Sequence, residues 1–269
     1  MSPLISQMRF NDSAQSPHSH YHLSGEMVFV DSGEARFEID GKEYLAKSGS
    51  IVFINSFEQH QVEIQAVPYR RYFAIVSAME VERAFPASSL PSIFRNRPSG
   101  FCHCVDLSPE GEYPRQLFRR LQEEFNAQLP RRNQMVRSLL EQILILVSRA
   151  APQNFALRES GSPARVGEVQ RYIEAHFTED LKISQLAERF FLNHCYLTHL
   201  FKEQVGYSPK QYILLNRLSY AQELLETTPL QVAQIAFKCG FGDANNFIRA
   251  FREWYGVSPN QYRQNRAQK

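Results

Sequence analysis

The phrase "GYSPKQY", starting at Gly206, returns as "GVSPNQY" at Gly256, 50 positions later. Each phrase closes a longer copy. The first is "LAERFFLNHCYLTHLFKEQVGYSPKQY" from Leu186, and the second is "IAFKCGFGDANNFIRAFREWYGVSPNQY" from Ile235. Leu186-Ala187 matches Ile235-Ala236 at an offset of 49, and Phe201 matches Phe251 at 50, so the second copy carries one extra residue in its turn. Agreement at Leu/Ile-Ala, Phe-basic-Glu, Gly-x-Ser-Pro and Gln-Tyr across the copy marks a duplication, not two unrelated amphipathic segments. Part of this chain is therefore built from two like units.

Each unit reads as helix, tight turn, helix, then Gly and a further helix. Gly240 stands where a turn needs permissive backbone, and Asn193 and Asp243 can cap the second helices. Ala187 and Ala236 let paired helices approach closely. Leu197, Leu200 and Phe201, and likewise Phe247, Ala250 and Phe251, form a stripe to bury. The opposite face is then free to enter a major groove, which is the helix-turn-helix arrangement. In each echo, Ser is placed to cap the next helix and Pro to occupy its first position. Between the units, Pro209–Thr227 has a helical pattern of Tyr212, Leu215, Leu218 and Leu225. At ~1.5 Å per residue it spans about 28 Å, enough to hold two reading helices about one DNA turn apart.

The rest of the 269 residues reads differently. Up to about Tyr72 the chain alternates apolar and polar residues in short runs. Turn signals at Asp31-Ser32-Gly33, Asp40-Gly41-Lys42 and Ser48-Gly49-Ser50 suggest a small sandwich or barrel. After Pro114 the period becomes helical: Leu117, Leu121 and Phe125, then Val136, Leu139, Leu140 and Ile143. These helices are expected to cover the barrel and to offer one face for homodimerisation. Two prolines and Gly-Ser-Pro in "APQNFALRESGSPARVG" mark a linker. The expected division is 1–155, a linker at 156–164 and 165–269, with helix-turn-helix units at about 183–206 and 232–256.

Charge adds little. From Pro163 onward there are 13 Lys+Arg against 10 Asp+Glu, a surplus too small to establish nucleic-acid binding alone. The four cysteines make no disulfide framework, and Cys102 and Cys104 around His103 read as reduced residues on a strand. No apolar run approaches the ~20 residues of a membrane span, and no leader is evident. The expectation is a cytoplasmic protein without a membrane partner.

On these motifs the C-terminal 105 or so residues resemble the DNA-binding domain of the AraC/XylS family of bacterial transcription regulators. "VAQIAFKCGFGDANNFIRAFREWYGVSPNQYR" matches the family signature almost throughout, whereas Phe191 stands where the first turn often has Gly. The resemblance places base-reading candidates at His194, Cys195, Thr198 and His199, and at Ala244, Asn245, Asn246 and Arg249. Their chemistry suits the role: Asn pairs with adenine and Arg with guanine, while Cys195 and Ala244 can only touch a thymine methyl.

A second resemblance lies in "HYHLSGEMVFVDSG". His20, His22, Glu26 and Gly33 have the spacing of the first cupin motif. The second motif is degraded: Gly49 and His60 are in place, but Asn55, Phe57 and Ile64 replace the usual Pro, Gly and Asn. The resemblance implies a cupin-like sensor whose pocket carries His20, His22, Glu26, Tyr44, His60 and Tyr72, with Phe29, Phe37 and Phe53 as core or wall. His20, His22, Glu26 and His60 have the donor types for a divalent metal. The metal-free effector reading is preferred and no cofactor is expected. A sugar-type ligand suits aromatic and His linings. The overall expectation is an α+β multidomain chain: a cupin-like β-barrel with a helical dimerisation region, then an all-α domain with two helix-turn-helix units joined by a long helix. Its expected role is an effector-responsive activator of metabolic genes that binds double-stranded promoter DNA and RNA polymerase, with no enzymatic activity. The alternative is a metal-dependent cupin enzyme tethered to DNA.

Overall fold

The computed structural model describes residues 3–12, 24–56, 58–86, 88–95, 100–127, 129–155 and 162–267. Contacts divide the chain into two units, Met1–Arg158 and Glu159–Lys269. The first is built on one six-stranded antiparallel sheet: β1 (Ile5–Asn11), β2 (Gly25–Ile39), β3 (Lys42–Lys47), β4 (Ser50–Ile54), β5 (His60–Val76) and β6 (Cys104–Asp106). The strands run in the order β1-β5-β2-β4-β6, with β3 also on β2. Helices α1 (Ala78–Ala84), α2 (Tyr113–Ala127) and α3 (Arg132–Ala150) complete it.

The two long strands change face midway. Register shifts interrupt the β2–β5 ladder between Val30 and Ala35. Gly33 has φ +80°, and a Cβ there would lie 2.6 Å from the carbonyl oxygens of Ala66 and Pro68, so only glycine fits this bulge. Before it, Val28 and Val30 face the sheet interior; after it, Ala35, Phe37 and Ile39 do. On β5 the inward residues switch from Val62 and Ile64 to Tyr69 and Phe73. Met27, Phe29, Ile51, Phe53, Tyr72 and Ala74 instead face a second core shared with α2 and α3. The helical stripes expected after Pro114 are spent there: Leu117, Phe118, Leu121, Val136, Leu139, Leu140 and Ile143 are buried within their own unit.

The second unit is all helical: α4 (Ser162–His176), α5 (Ile183–Arg189), α6 (His194–Val205), α7 (Pro209–Thr227), α8 (Val232–Lys238), α9 (Ala244–Tyr255) and α10 (Pro259–Ala267). Helix α4 already begins at Ser162, so residues 162–164, expected in the linker, are helical, and residues 156–161 lie outside the described residues. Two helix-turn-helix units, α5–α6 and α8–α9, flank the long helix α7. Leu197, Phe201, Phe247 and Phe251 are fully buried. Each contributes about 1.5–3 kcal/mol to holding its reading helix in place. Among the described residues no helix is long and apolar enough to cross a membrane.

The duplication runs deeper than the sequence match. Tyr212 Oη donates to Glu174 at 2.5 Å and accepts from Gln170 Nε2 at 3.0 Å. Tyr262 Oη donates to Glu226 at 2.7 Å and accepts from Gln222 Nε2 at 2.8 Å. Both tyrosine rings stand edge-on to the buried Phe of the reading helix, Phe201 and Phe251, at 5.5 and 5.6 Å. Gln170 and Glu174 on α4 thus match Gln222 and Glu226 on α7. Helix α7 closes the first unit and opens the second.

Candidate functional site

The two turns are superimposable in their bonding. In the first, Phe191 N donates to Glu188 O at 3.1 Å and Leu192 N to Ala187 O at 2.8 Å. In the second, Gly240 N donates to Phe237 O at 3.0 Å and Phe241 N to Ala236 O at 3.0 Å. Phe191 takes the left-handed conformation that Gly240 takes, with φ of 53° against 82°. Replacing glycine therefore leaves the turn intact, at the strain cost of ~1–2 kcal/mol for a side chain in that region. Asn193 Oδ1 accepts from Cys195 N at 2.8 Å, and Asp243 Oδ1 from Asn246 N at 2.8 Å. Gly206 and Gly256 end α6 and α9 with φ of 84° and 73°.

After each glycine the echo completes a capping box. Ser208 N donates to Gln211 Oε1 at 3.0 Å while Gln211 N donates to Ser208 Oγ at 3.3 Å. Ser258 and Gln261 repeat this at 3.0 and 3.4 Å. The Gln of the motif is thus a capping partner, which satisfies two otherwise orphan N–H groups.

The candidate base-reading residues have unequal positions. His194, Cys195 and His199 are exposed on α6. Thr198 is half-buried and its hydroxyl donates to His194 O at 2.9 Å, which leaves it only as an acceptor. On α9, Asn245, Asn246 and Arg249 are exposed, while Ala244 packs at the edge of the unit's core. Asn246 Nδ2 donates to Asp243 Oδ2, and Asn246 Oδ1 accepts from Arg249 Nη2 at 2.9 Å. Both ends of this amide are engaged, so Asn246 orients Arg249, a role the residue type did not announce. Asn245, Ile248, Arg249, Arg252 and Glu253 line one surface groove of about 540 Å³. Ile248 and Arg252 were absent from the sequence candidates, although their i+3 and i+7 spacing from Asn245 could have found them.

In the first unit, Glu26 and His60 face each other across the interior, Oε2 to Nε2 at 3.5 Å. Burial pulls the His60 pKa down, but the Glu26 hydrogen bond and charge, with the Glu58 carbonyl, leave it raised overall. Tyr44 Oη lies 3.0 Å from His103 Nδ1, and His103 Nε2 lies 3.3 Å from Glu58 Oε2. His103 and Glu58 thus extend the polar cluster beyond the residues the motif indicated. Tyr72 does not join it. Twelve residues after His60, simple alternation would put both side chains on one face, but the bulge reverses the parity. Tyr72 is buried toward the helices, 4.7 Å from the Phe10 ring and 6.1 Å from that of Phe118. Phe37 lines the interior, whereas Phe29 and Phe53 belong to the helix-facing core. His20 and His22 lie outside the described residues. Among the described residues no three His, Cys, Asp or Glu side chains are grouped to hold a metal ion.

Known families match part of each unit. Residues 186–265 match the family described as "Helix-turn-helix domain", and residues 6–66 match "Cupin domain". The "HTH-type transcriptional activator RhaS" of Citrobacter koseri is 26% identical, with 92% of this chain and 87% of that protein covered. The RhaS protein of Klebsiella pneumoniae is 27% identical over the same shares. The structure of ToxT from Vibrio cholerae has the same fold, with a TM-score of 0.62 at 14% identity over 96% of each chain. A ToxT structure described as unsaturated fatty acid bound gives 0.62 at 12% identity over 98% and 97%.

Proposed function

We propose that this chain is a DNA-binding transcription regulator of the AraC/XylS type and an effector-responsive activator of metabolic genes. The observation that carries the reading is the matched pair of reading helices. Both are capped at the N-terminus by Asn or Asp and stopped by a left-handed glycine, and both are buried along one stripe and polar on the other. The faces differ. Helix α9 presents Asn245 and Arg249, which suit adenine and guanine edges, with Arg252 one turn on toward phosphate. Helix α6 presents His194, Cys195, Thr198 and His199, a weaker hydrogen-bonding set. We assign base discrimination mainly to α9 and register on the duplex to α6.

In this reading a small polar molecule of sugar type enters the barrel at the Glu26–His60–Tyr44–His103 cluster. It alters how two copies of the chain pair on the promoter and how they present the DNA-bound domain to RNA polymerase. Titration of a promoter duplex at fixed salt tests the DNA assignment. Arg249→Ala weakens cognate binding by ~1–3 kcal/mol and relaxes one base position. Unchanged affinity and an unchanged base profile would refute it.

A further inference from the structure

The bulge that moves Tyr72 out of the barrel moves Arg71 in. On β5, Tyr69 and Phe73 face the interior, and Arg71 lies between them, opposite Val30. A guanidinium aimed at a barrel interior needs a partner, because an uncompensated buried charge is costly. Among the described residues the interior carboxylates Glu26 and Glu58 each face a histidine, Glu26 to His60 at 3.5 Å and Glu58 to His103 at 3.3 Å. Neighbouring Arg70 pairs with Asp12 at 3.1 Å. Arg71 has no ion pair among the described residues, and its Nη1 is buried without a hydrogen-bond partner.

Tyr69 is in the same condition. The residue is 2% exposed, and among the described residues its buried hydroxyl meets no acceptor; the one side chain that reaches it is the donor Arg71. Arg71 stands over its ring at 5.0 Å, a cation–π contact that supplies no acceptor oxygen. Burial pushes the phenol pKa up to about 12, so at neutral pH it remains a donor and cannot neutralise the guanidinium. Two adjacent donors are thus left in the interior without an acceptor, one of them a guanidinium with no carboxylate in contact among the described residues.

We propose that Arg71 and Tyr69 anchor a small organic carboxylate inside the barrel. This deepens the effector reading above and rests on it. A neutral sugar hydroxyl would satisfy one donor but leave the charge. A phosphate dianion would meet repulsion from Glu26, whose charge reaches the Tyr69 hydroxyl. A single carboxylate supplies two acceptor oxygens and one negative charge, the complement of a guanidinium beside a phenol. The effector is therefore an acid, such as a sugar acid or another small organic acid, rather than a neutral sugar.

The test is calorimetric titration of the full-length protein with matched probes. Lactate, benzoate and D-galacturonate are set against lactamide, benzamide and D-galactose. The expected result is saturable binding of at least one carboxylate, at least tenfold tighter than its neutral partner. Arg71→Ala should weaken that binding tenfold or more, Arg71→Lys should retain part of it, and Tyr69→Phe should weaken it a few-fold. Far-UV circular dichroism and ligand-free promoter affinity verify folding, and Arg71→Gln replaces any variant that fails to fold. Equal binding of acid and neutral probes, no binding of any carboxylate, or full binding by Arg71→Ala overturns the proposal. So does an experimental structure with water alone on Arg71 Nη1 and Tyr69 Oη. A neutral compound that binds the barrel and changes promoter affinity would sink the carboxylate assignment but leave the effector reading standing. A carboxylate held by Arg71 that changes neither promoter affinity nor dimer state would do the reverse.

Discussion

Gly240 and Phe191 occupy equivalent turns in the same left-handed conformation, yet alanine should be costly at the first and nearly neutral at the second. At Gly240 an added Cβ would stand 2.5 Å from the carbonyl oxygen of Thr178 and 2.8 Å from its carbonyl carbon. Both are backbone atoms, so the turn or the α4–α5 connection must shift, at ~1–3 kcal/mol. Left-handed strain adds ~1–2 kcal/mol. The total is about 3 kcal/mol. Phe191 is 89% exposed and already carries the strain, so Phe191→Ala removes only a solvated ring and should stay within ~0.5 kcal/mol of the parent. Phe191→Gly relieves the strain but loosens the unfolded chain by ~0.5–1 kcal/mol, for a net gain of about 0.5 kcal/mol. The chain's single tryptophan, Trp254, packs against the second unit's core and reports its unfolding by fluorescence. With a urea slope of about 1.5 kcal/mol/M, Gly240→Ala should lower the midpoint by ~2 M. A midpoint within about 0.5 M of the parent would show that the Thr178 contact does not constrain the turn.

Three further outcomes follow from the geometry. Tyr262→Phe removes the hydroxyl between Glu226 and Gln222 and should cost ~1–1.5 kcal/mol in the same melt, with Tyr212→Phe costing a like amount by circular dichroism. If Asn246 orients Arg249, the Asn246→Ala and Arg249→Ala effects on promoter affinity should fall short of additivity by ~0.5–1 kcal/mol, and a zero coupling term would return Asn246 to direct base reading. The pKa of His60 is raised on folding, so its contribution to the first unit's stability is full below the ordinary histidine value of ~6.5 and is lost as pH rises through the folded value. His60→Gln should flatten that limb of the stability–pH curve, and an unaltered limb would assign it to other groups.

The duplication was legible because its signals are local. Gly240, Gly206 and Gly256 mark left-handed positions, Ser-Pro marks a helix start, and Phe201 and Phe251 carry the buried stripe. The outer half of the same duplication was not legible. Gln170 and Glu174 recur as Gln222 and Glu226, but the three residues between them are Arg-Tyr-Ile in one copy and Glu-Leu-Leu in the other. What is retained there is a hydrogen-bonded partner for a distant tyrosine, and such a contact leaves no periodic trace. The barrel interior failed for a related reason. Period-two alternation assigns faces only while the ladder is regular, and the break in β5 between Ala66 and Arg70, opposite the Gly33 bulge, exchanges Tyr72 for Arg71. His103 and Glu58 were hidden because β6 and the β4–β5 turn meet only in the folded sheet.

The same comparison bears on how the two units divide their work. Caps, turns, Tyr–Glu–Gln clamps and buried phenylalanines are matched copy for copy, so the two scaffolds hold their reading helices alike. The exposed faces are not matched: Cys195, Thr198 and His199 stand where the second copy has Asn245, Ile248 and Arg249. Under the proposed DNA reading, a shared scaffold with different exposed faces predicts two different half-sites rather than one repeated sequence. Swapping only the outward positions, residues 194, 195, 198 and 199 for 244, 245, 248 and 249, leaves the buried Leu197 and Phe247 in place and should preserve folding yet exchange the order of preferred half-sites in a selection from random duplexes. If the swapped protein selects the parental order, base preference resides outside these helices and the division of labour drawn here is wrong.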